Sequence, residues 1–178
     1  MSRNKKIIRN IIVLCVLLFV LLKITGLYLS PISVHKSSER SIHFGPSDII
    51  HIEDFDGGKY ILCKYDKWVS CNTIKRTLFL FWSFGGQEIG FENDKTKAID
   101  YTWNMSKGDY YKLYGIINDN KIAKVEINLN NGIKFTESKF YEDLFLFTWQ
   151  ADLEDQDWYL KNIKGFDSDN NIIFQKEY

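Results

Sequence analysis

The sequence predicts a mainly β protein with one N-terminal transmembrane helix followed by an antiparallel β-sandwich or barrel-like domain. Three observations lead there. Residues 11–29 are almost continuously apolar behind a basic start. Beyond Ser47, short runs rich in Val, Ile, Tyr, Phe and Trp alternate with Gly, Asn and Asp at the spacing of strands and turns. Aromatics make up 16% of the 178 residues and there are only 2 prolines, a composition that suits half-buried pleated surfaces.

The zero net charge conceals an asymmetry. Five of the 23 bases (Arg3, Lys5, Lys6, Arg9 and Lys23) fall in residues 1–30, which hold none of the 23 acids, so the start is +5 and the remainder −5. Without a basic excess to neutralise phosphates, nucleic acid is excluded as a dedicated partner. Residues 1–10 read as a basic cytoplasmic tail. Residues 11–29 read as an anchor helix of about 28 Å, near the ~30 Å of bilayer hydrocarbon, with the bilayer as partner. Lys23 lies towards the far end, where its stem lets the charge reach headgroups, and Tyr28 stands where an interfacial aromatic is expected. A cleaved signal peptide fits less well, because cuts after Gly26 or Ser30 put bulky Ile24 or Tyr28 at the −3 position. Cys15, in mid-span behind Leu14, is a poor lipidation site. Bases on the amino side place the remainder outside the cytoplasm.

Residues 30–46 are Ser-rich and lack apolar periodicity, so they are expected to be a polar tether, with His35 and His43 solvated. The extracytoplasmic β-rich domain spans residues 47–178. Residues 49–53 form a first strand, Asp56-Gly57-Gly58 a turn, 59–64 its partner, Asp66-Lys67 a second turn and 68–71 the return. The apolar run 78–84 ends at Gly85-Gly86 and is expected to be a core strand. Residues 97–103 alternate loosely, and 110–117 lead into the turn Asn118-Asp119-Asn120. Val125, Ile127 and Leu129 alternate with Lys124, Glu126 and Asn128, sending the two sets to opposite faces. Asn131-Gly132 is expected to be a two-residue type I′ turn before 133–136. A short helix fits 137–143. Residues 144–149, 158–166 and 172–174 are later strands, the last pair joined by a turn at 167–171.

Chemistry-bearing motifs are sparse. Cys63 and Cys71 flank the turn at Lys67. Facing each other across a symmetric hairpin they could form a disulfide; two buried free thiols are the alternative. His51-Ile52-Glu53 matches half of a zinc-deaminase signature but lacks the Pro-Cys-x-x-Cys partner. Neither a catalytic set, a metal set nor a cofactor motif is expected. Asp152, Glu154, Asp155 and Asp157 form an acidic loop read as solvated, and Asp167 to Asn171 departs from a calcium loop at the required Gly and Glu. Asn104-Met105-Ser106 fits a glycosylation acceptor. Trp103, Tyr110, Tyr111 and Tyr114 are the expected aromatic binding platform, with a core role as the alternative.

Residues 5–22, the hairpin stretch 57–71 and the closing segment 163–173 resemble a broad set of uncharacterised small, single-pass, membrane-anchored β-rich proteins of low-G+C Gram-positive bacteria. In that set the closing hairpin often reads Asp-x-Asp-Gly, where this chain has Asn170-Asn171. The resemblance implies an anchored outer domain and no activity. The functional expectation is a non-enzymatic binding or interaction module at the cell envelope, contacting a peptide, a wall polymer or an envelope protein. The alternatives are an envelope hydrolase, or an immunity or accessory protein for a toxin or transporter.

Overall fold

The structure, a computed structural model, describes residues 3–86, 88–106, 110–150 and 158–178, with the side chains at 23, 105 and 106 left out. The acidic loop at 152–157 therefore lies outside the described residues, as do the side chains of Met105 and Ser106 in the Asn104 triplet.

Among the described residues, helix α1 (Arg3–Thr25) is followed by α2 (Pro31–Ser41) and twelve strands. These are β1 (Asp48–Phe55), β2 (Gly58–Tyr65), β3 (Trp68–Thr77), β4 (Phe81–Gly86), β5 (Phe91–Glu92), β6 (Ile99–Ser106), β7 (Tyr110–Ile117), β8 (Lys124–Leu129), β9 (Lys134–Glu137), β10 (Leu144–Gln150), β11 (Leu160–Phe166) and β12 (Ile172–Glu177). All pairings are antiparallel and make three sheets: β1-β2-β3-β4 with β5 on β3, β10-β7-β6, and β12-β11-β8-β9.

The sheets stack, with β10-β7-β6 in the middle. Strand parity shows why. Tyr111 and Leu113, with Phe145, Phe147 and Trp149, pack onto Val125, Ile127, Leu129, Leu160 and Ile163 of the β8/β11 sheet. The opposite parity set, Tyr114, Ile116, Leu144 and Leu146, packs onto Tyr60, Leu62, Val69 and Cys71 of the β2/β3 sheet. Strand β7 is thus buried on both faces, which explains an apolar run interrupted by Lys112, where β8 alternates apolar residues with Lys124, Glu126 and Asn128. Gly115 is required in this layer, since a Cβ there would lie 2.5 Å from the Asp100 carbonyl and 2.6 Å from the Phe145 ring. On its far face the β2/β3 sheet is covered by α2, whose Val34 meets Ile61 and Ile74.

Several expectations are corrected. Residues 31–41 are not a tether but a packed helix with Val34, His35, Ser38 and Glu39 buried. The buried face is largely polar, so it left no apolar periodicity to read. Helix α1 stops at Thr25, Gly26 turns at φ 66°, and Tyr28 bridges to Trp82 of β4, so the end of the expected 11–29 span belongs to the domain. Among the described residues no helix is long and apolar enough to cross a membrane. The run 78–84 is not one strand: residues 78–80 are an exposed turn and β4 begins at Phe81. Residues 137–143 hold the end of β9 and a turn, not a helix. The β8–β9 connection is a three-residue loop in which Gly132, not Asn131, has positive φ, with Leu129 N–H donating to Ile133 O at 2.8 Å.

Candidate functional site

The expected platform does not assemble. Tyr111 and Tyr114 leave β7 on opposite faces and are buried in the two separate cores. Tyr110 is half-buried against Phe55, and Trp103 on β6 is 38% exposed. No shared surface joins the four. The cause is the middle-layer position of β7, which sends both parities into protein.

The cysteines do not pair either. The turn Asp66-Lys67 sets Tyr65 opposite Trp68, so Leu62 faces Cys71 and Cys63 faces Ser70. That register is one residue away from a Cys63–Cys71 pair and puts the thiols on opposite faces of the sheet. Both are free and buried. Burial raises the Cys63 thiol above its ordinary value and pushes Cys71 up to about 12. At neutral pH both are protonated and poor nucleophiles. His51, the solitary deaminase-like residue, bonds Glu53 at 2.9 Å and stacks on Tyr141.

What the fold does bring together is a chain of buried polar groups that passes through the β2/β3 sheet. On the α2 side, Glu39 Oε1 accepts the Ser47 N–H at 3.1 Å and the Ser47 hydroxyl, and lies 3.3 Å from His35 Nε2. His35 and Glu39, four apart on α2, share one helical face. The other ring nitrogen, Nδ1, is 2.9 Å from Asn72 Nδ2 on β3, while Asn72 Oδ1 accepts the Glu88 N–H at 3.3 Å. That second bond orients the amide, so Nδ2 donates, Nδ1 accepts and Nε2 carries the proton. Desolvation by burial lowers the pKa of His35, with Lys36 also acting downward and the Glu39 carboxylate opposing both.

Beyond Asn72 the chain reaches the interface with the middle sheet. Lys112, in the centre of β7, is fully buried. Its Nζ donates to Glu88 Oε1 at 2.7 Å, to Thr73 Oγ1 at 2.8 Å and to the Cys71 carbonyl, and it lies over the Tyr60 and Tyr114 rings. The Tyr114 hydroxyl donates to Glu88 Oε2 at 3.1 Å. Burial, then the Glu88 charge, raises the Tyr114 pKa, so the phenol stays protonated and remains a donor.

Chemically this arrangement is a clamp. Ser47 stands near His35 as a nucleophile stands near a base, yet Nε2 already carries its proton and the Ser47 hydroxyl is committed to Glu39. The histidine cannot take that proton, and the general-base logic of a hydrolase is missing here. Among the described residues no group of three or more His, Cys, Asp or Glu is placed to hold a metal. Beside the clamp a groove of about 630 Å³ opens between α2 and the loop to β1, lined by the exposed Lys36, Arg40 and His43 together with Phe44, Pro46 and Ile49.

The sequence reading missed His35, Glu39, Glu88 and Lys112. Two signals pointed to them: a His and a Glu four apart, and one lysine inside the apolar run Tyr110–Ile117, which demands a buried acid. No protein-family model, no curated protein and no solved structure matches this chain.

Proposed function

We propose that the chain is a membrane-anchored protein whose β domain lies outside the cytoplasm and serves as a non-enzymatic interaction module at the cell envelope. One observation carries this reading. Ile11, Ile12, Val13 and Leu14 are successive residues about 100° apart around α1, so together they encircle it, and all four are between 51% and 67% exposed. An apolar girdle without a polar face is suited to lipid and unsuited to water. The uninterrupted apolar stretch, residues 11–22, runs about 18 Å, and extension to 7–24 gives about 27 Å. The two bases within that longer stretch, Arg9 and Lys23, fall near its ends, where long basic stems carry charge to the headgroups. The start at residues 3–9 holds four bases and no acid, as the cytoplasmic side of an anchor does.

The closed clamp favours interaction over catalysis, because its polar groups satisfy one another and hold α2 against the sheet. The groove beside α2, lined by the exposed Lys36 and Arg40, is the surface this reading assigns to an acidic partner at the envelope. Alkaline carbonate extraction of cell membranes tests the anchor. The full chain is expected in the pellet, and a Leu14→Arg/Leu17→Arg variant in the supernatant. Wild-type protein released by carbonate would overturn the reading.

A further inference from the structure

We infer that Lys36 and Arg40 of α2 hold the phosphate of one anionic phospholipid, whose acyl chains lie along the last turns of α1. The inference rests on the anchoring reading and names the acidic partner of those two bases.

Helix α2 returns beside α1. Residues 26–30 separate the helices, and Phe19 and Leu22 of α1 line one groove with Ser33, Lys36 and Arg40 of α2. The second helix thus lies against the final turns of the first. Counted back from Thr25, Leu22 and Phe19 are about 4.5 and 9 Å along the axis. In the anchoring reading that stretch enters the outer leaflet, just inside the level of the lipid phosphates and within reach of a long basic side chain.

The two walls of the groove do not suit each other. Ser33, Lys36, Ser37 and Arg40 follow the i, i+3, i+4, i+7 spacing of one helical stripe. A stripe packed on an apolar helix is expected to be apolar, as Val34 is on the side that meets the sheet. Instead about 370 Å³ stays open between a wall of Phe19, Leu22 and Leu29 and a wall of hydroxyls and cations. The shape is held from below: the Tyr28 and Ser37 hydroxyls are hydrogen-bonded at 2.6 Å, which ties the chain leaving α1 to α2. A molecule that carries hydrocarbon next to negative charge satisfies both walls, and water satisfies one.

The cations are available for it. Lys36 and Arg40 are exposed, and four apart on a helix they are neighbours on its surface. Among the described residues neither is ion-paired, and no acid lines the groove. Glu39, the acid of α2, is committed to His35 and Ser47 on the buried side. An arginine fork beside a lysine point charge matches a phosphate. Bases near an anchor favour its cytoplasmic side, so two on the outer side that face the anchor call for an anion. Lipid, rather than a soluble phosphate, is the occupant because one wall is the anchor's own surface. Phe19 is 61% exposed on the girdle that the bilayer surrounds.

The test uses the full chain, purified in a neutral detergent and offered equal amounts of phosphatidylglycerol and phosphatidylcholine. Native mass spectrometry counts the lipid retained. One phosphatidylglycerol per chain is expected, in several-fold preference over phosphatidylcholine. Lys36→Gln and Arg40→Gln should each cut that preference roughly fivefold, while Lys5→Gln/Lys6→Gln at the far end of α1 keeps it. Equal retention of the two lipids, with the chain still in the carbonate pellet, overturns the inference and leaves the anchor standing. Retention of neither lipid also overturns it, and release of the chain by carbonate then removes the anchor as well. A preference that survives Lys36→Gln/Arg40→Gln, or falls equally in Lys5→Gln/Lys6→Gln, overturns it in favour of diffuse charge attraction. Displacement of phosphatidylglycerol by millimolar inorganic phosphate overturns it in favour of a soluble ligand.

Discussion

Replacing Lys112 with methionine keeps the apolar stem and removes a cation fully buried between the β2/β3 sheet and the middle sheet. In the native protein three acceptors and two aromatic rings surround that ammonium. The substitution leaves Glu88 with the Tyr114 hydroxyl as its side-chain donor. Stranding one partner of a buried pair costs about 3–5 kcal/mol. Glu88 keeps 14% of its side chain accessible, so some water can reach it and the lower end, about 3 kcal/mol, applies here. At about 2–4 °C per kcal/mol for a chain of this size, the melting temperature should fall by roughly 6–12 °C. Guanidinium titration followed by tryptophan fluorescence would measure the loss. The Lys112→Met/Glu88→Gln double variant should recover part of it, because no charge is then stranded. A loss below about 1 kcal/mol for the single variant, within the range of an exposed pair, would refute the buried-pair reasoning.

Three further outcomes follow from the same geometry. Without reductant, thiol titration in denaturant should count all three cysteines, with Cys63 and Cys71 protected in the folded protein; a count of one would mean a disulfide. Gly115→Ala should cost about 1–3 kcal/mol through overpacking against the Asp100 backbone and Phe145, measured by the same titration; no loss would contradict the tight middle layer. Folded His35 titrates below its ordinary 6.5, so between the two values the unfolded chain binds more protons, and stability should decline as the pH falls through 6.5. The groups facing that ring are Glu39 and Lys36 of α2, Asn72 of β3, and Ser47. His35→Gln should flatten that part of the pH profile of the melting temperature, and an unchanged slope would assign the effect elsewhere.

Most strands were legible because their signals are local. The alternation of Val125, Ile127 and Leu129 named the inward face of β8, and all three are buried. The turn at 167–171 was readable from Asp167, whose carboxylate accepts the Asp169 and Asn171 amides at 2.9 and 2.8 Å. What escaped was non-local. Apolar runs at β10 and, Lys112 apart, at β7 mean burial on both faces, but only the third sheet shows what lies opposite. The cysteine register turned on whether the hairpin closed symmetrically at one residue or through two, a difference of one position that reverses every face. Helix α2 hid because its buried side holds His35, Ser38 and Glu39, and the partners of His35 and Glu39 come from β3 and the loop before β1. The run 78–84 misled because hydrophobicity was equated with interior, whereas its first three residues face outward.

The central claim is that the β domain stands outside a membrane held by α1. Membrane-impermeant maleimide applied to intact cells expressing Ser2→Cys or Ile133→Cys, each with Cys15→Ser, tests it most directly. Labelling at 133 in whole cells, with position 2 labelled only after permeabilisation, is the predicted result. Position 133 protected until the cells are opened would contradict it.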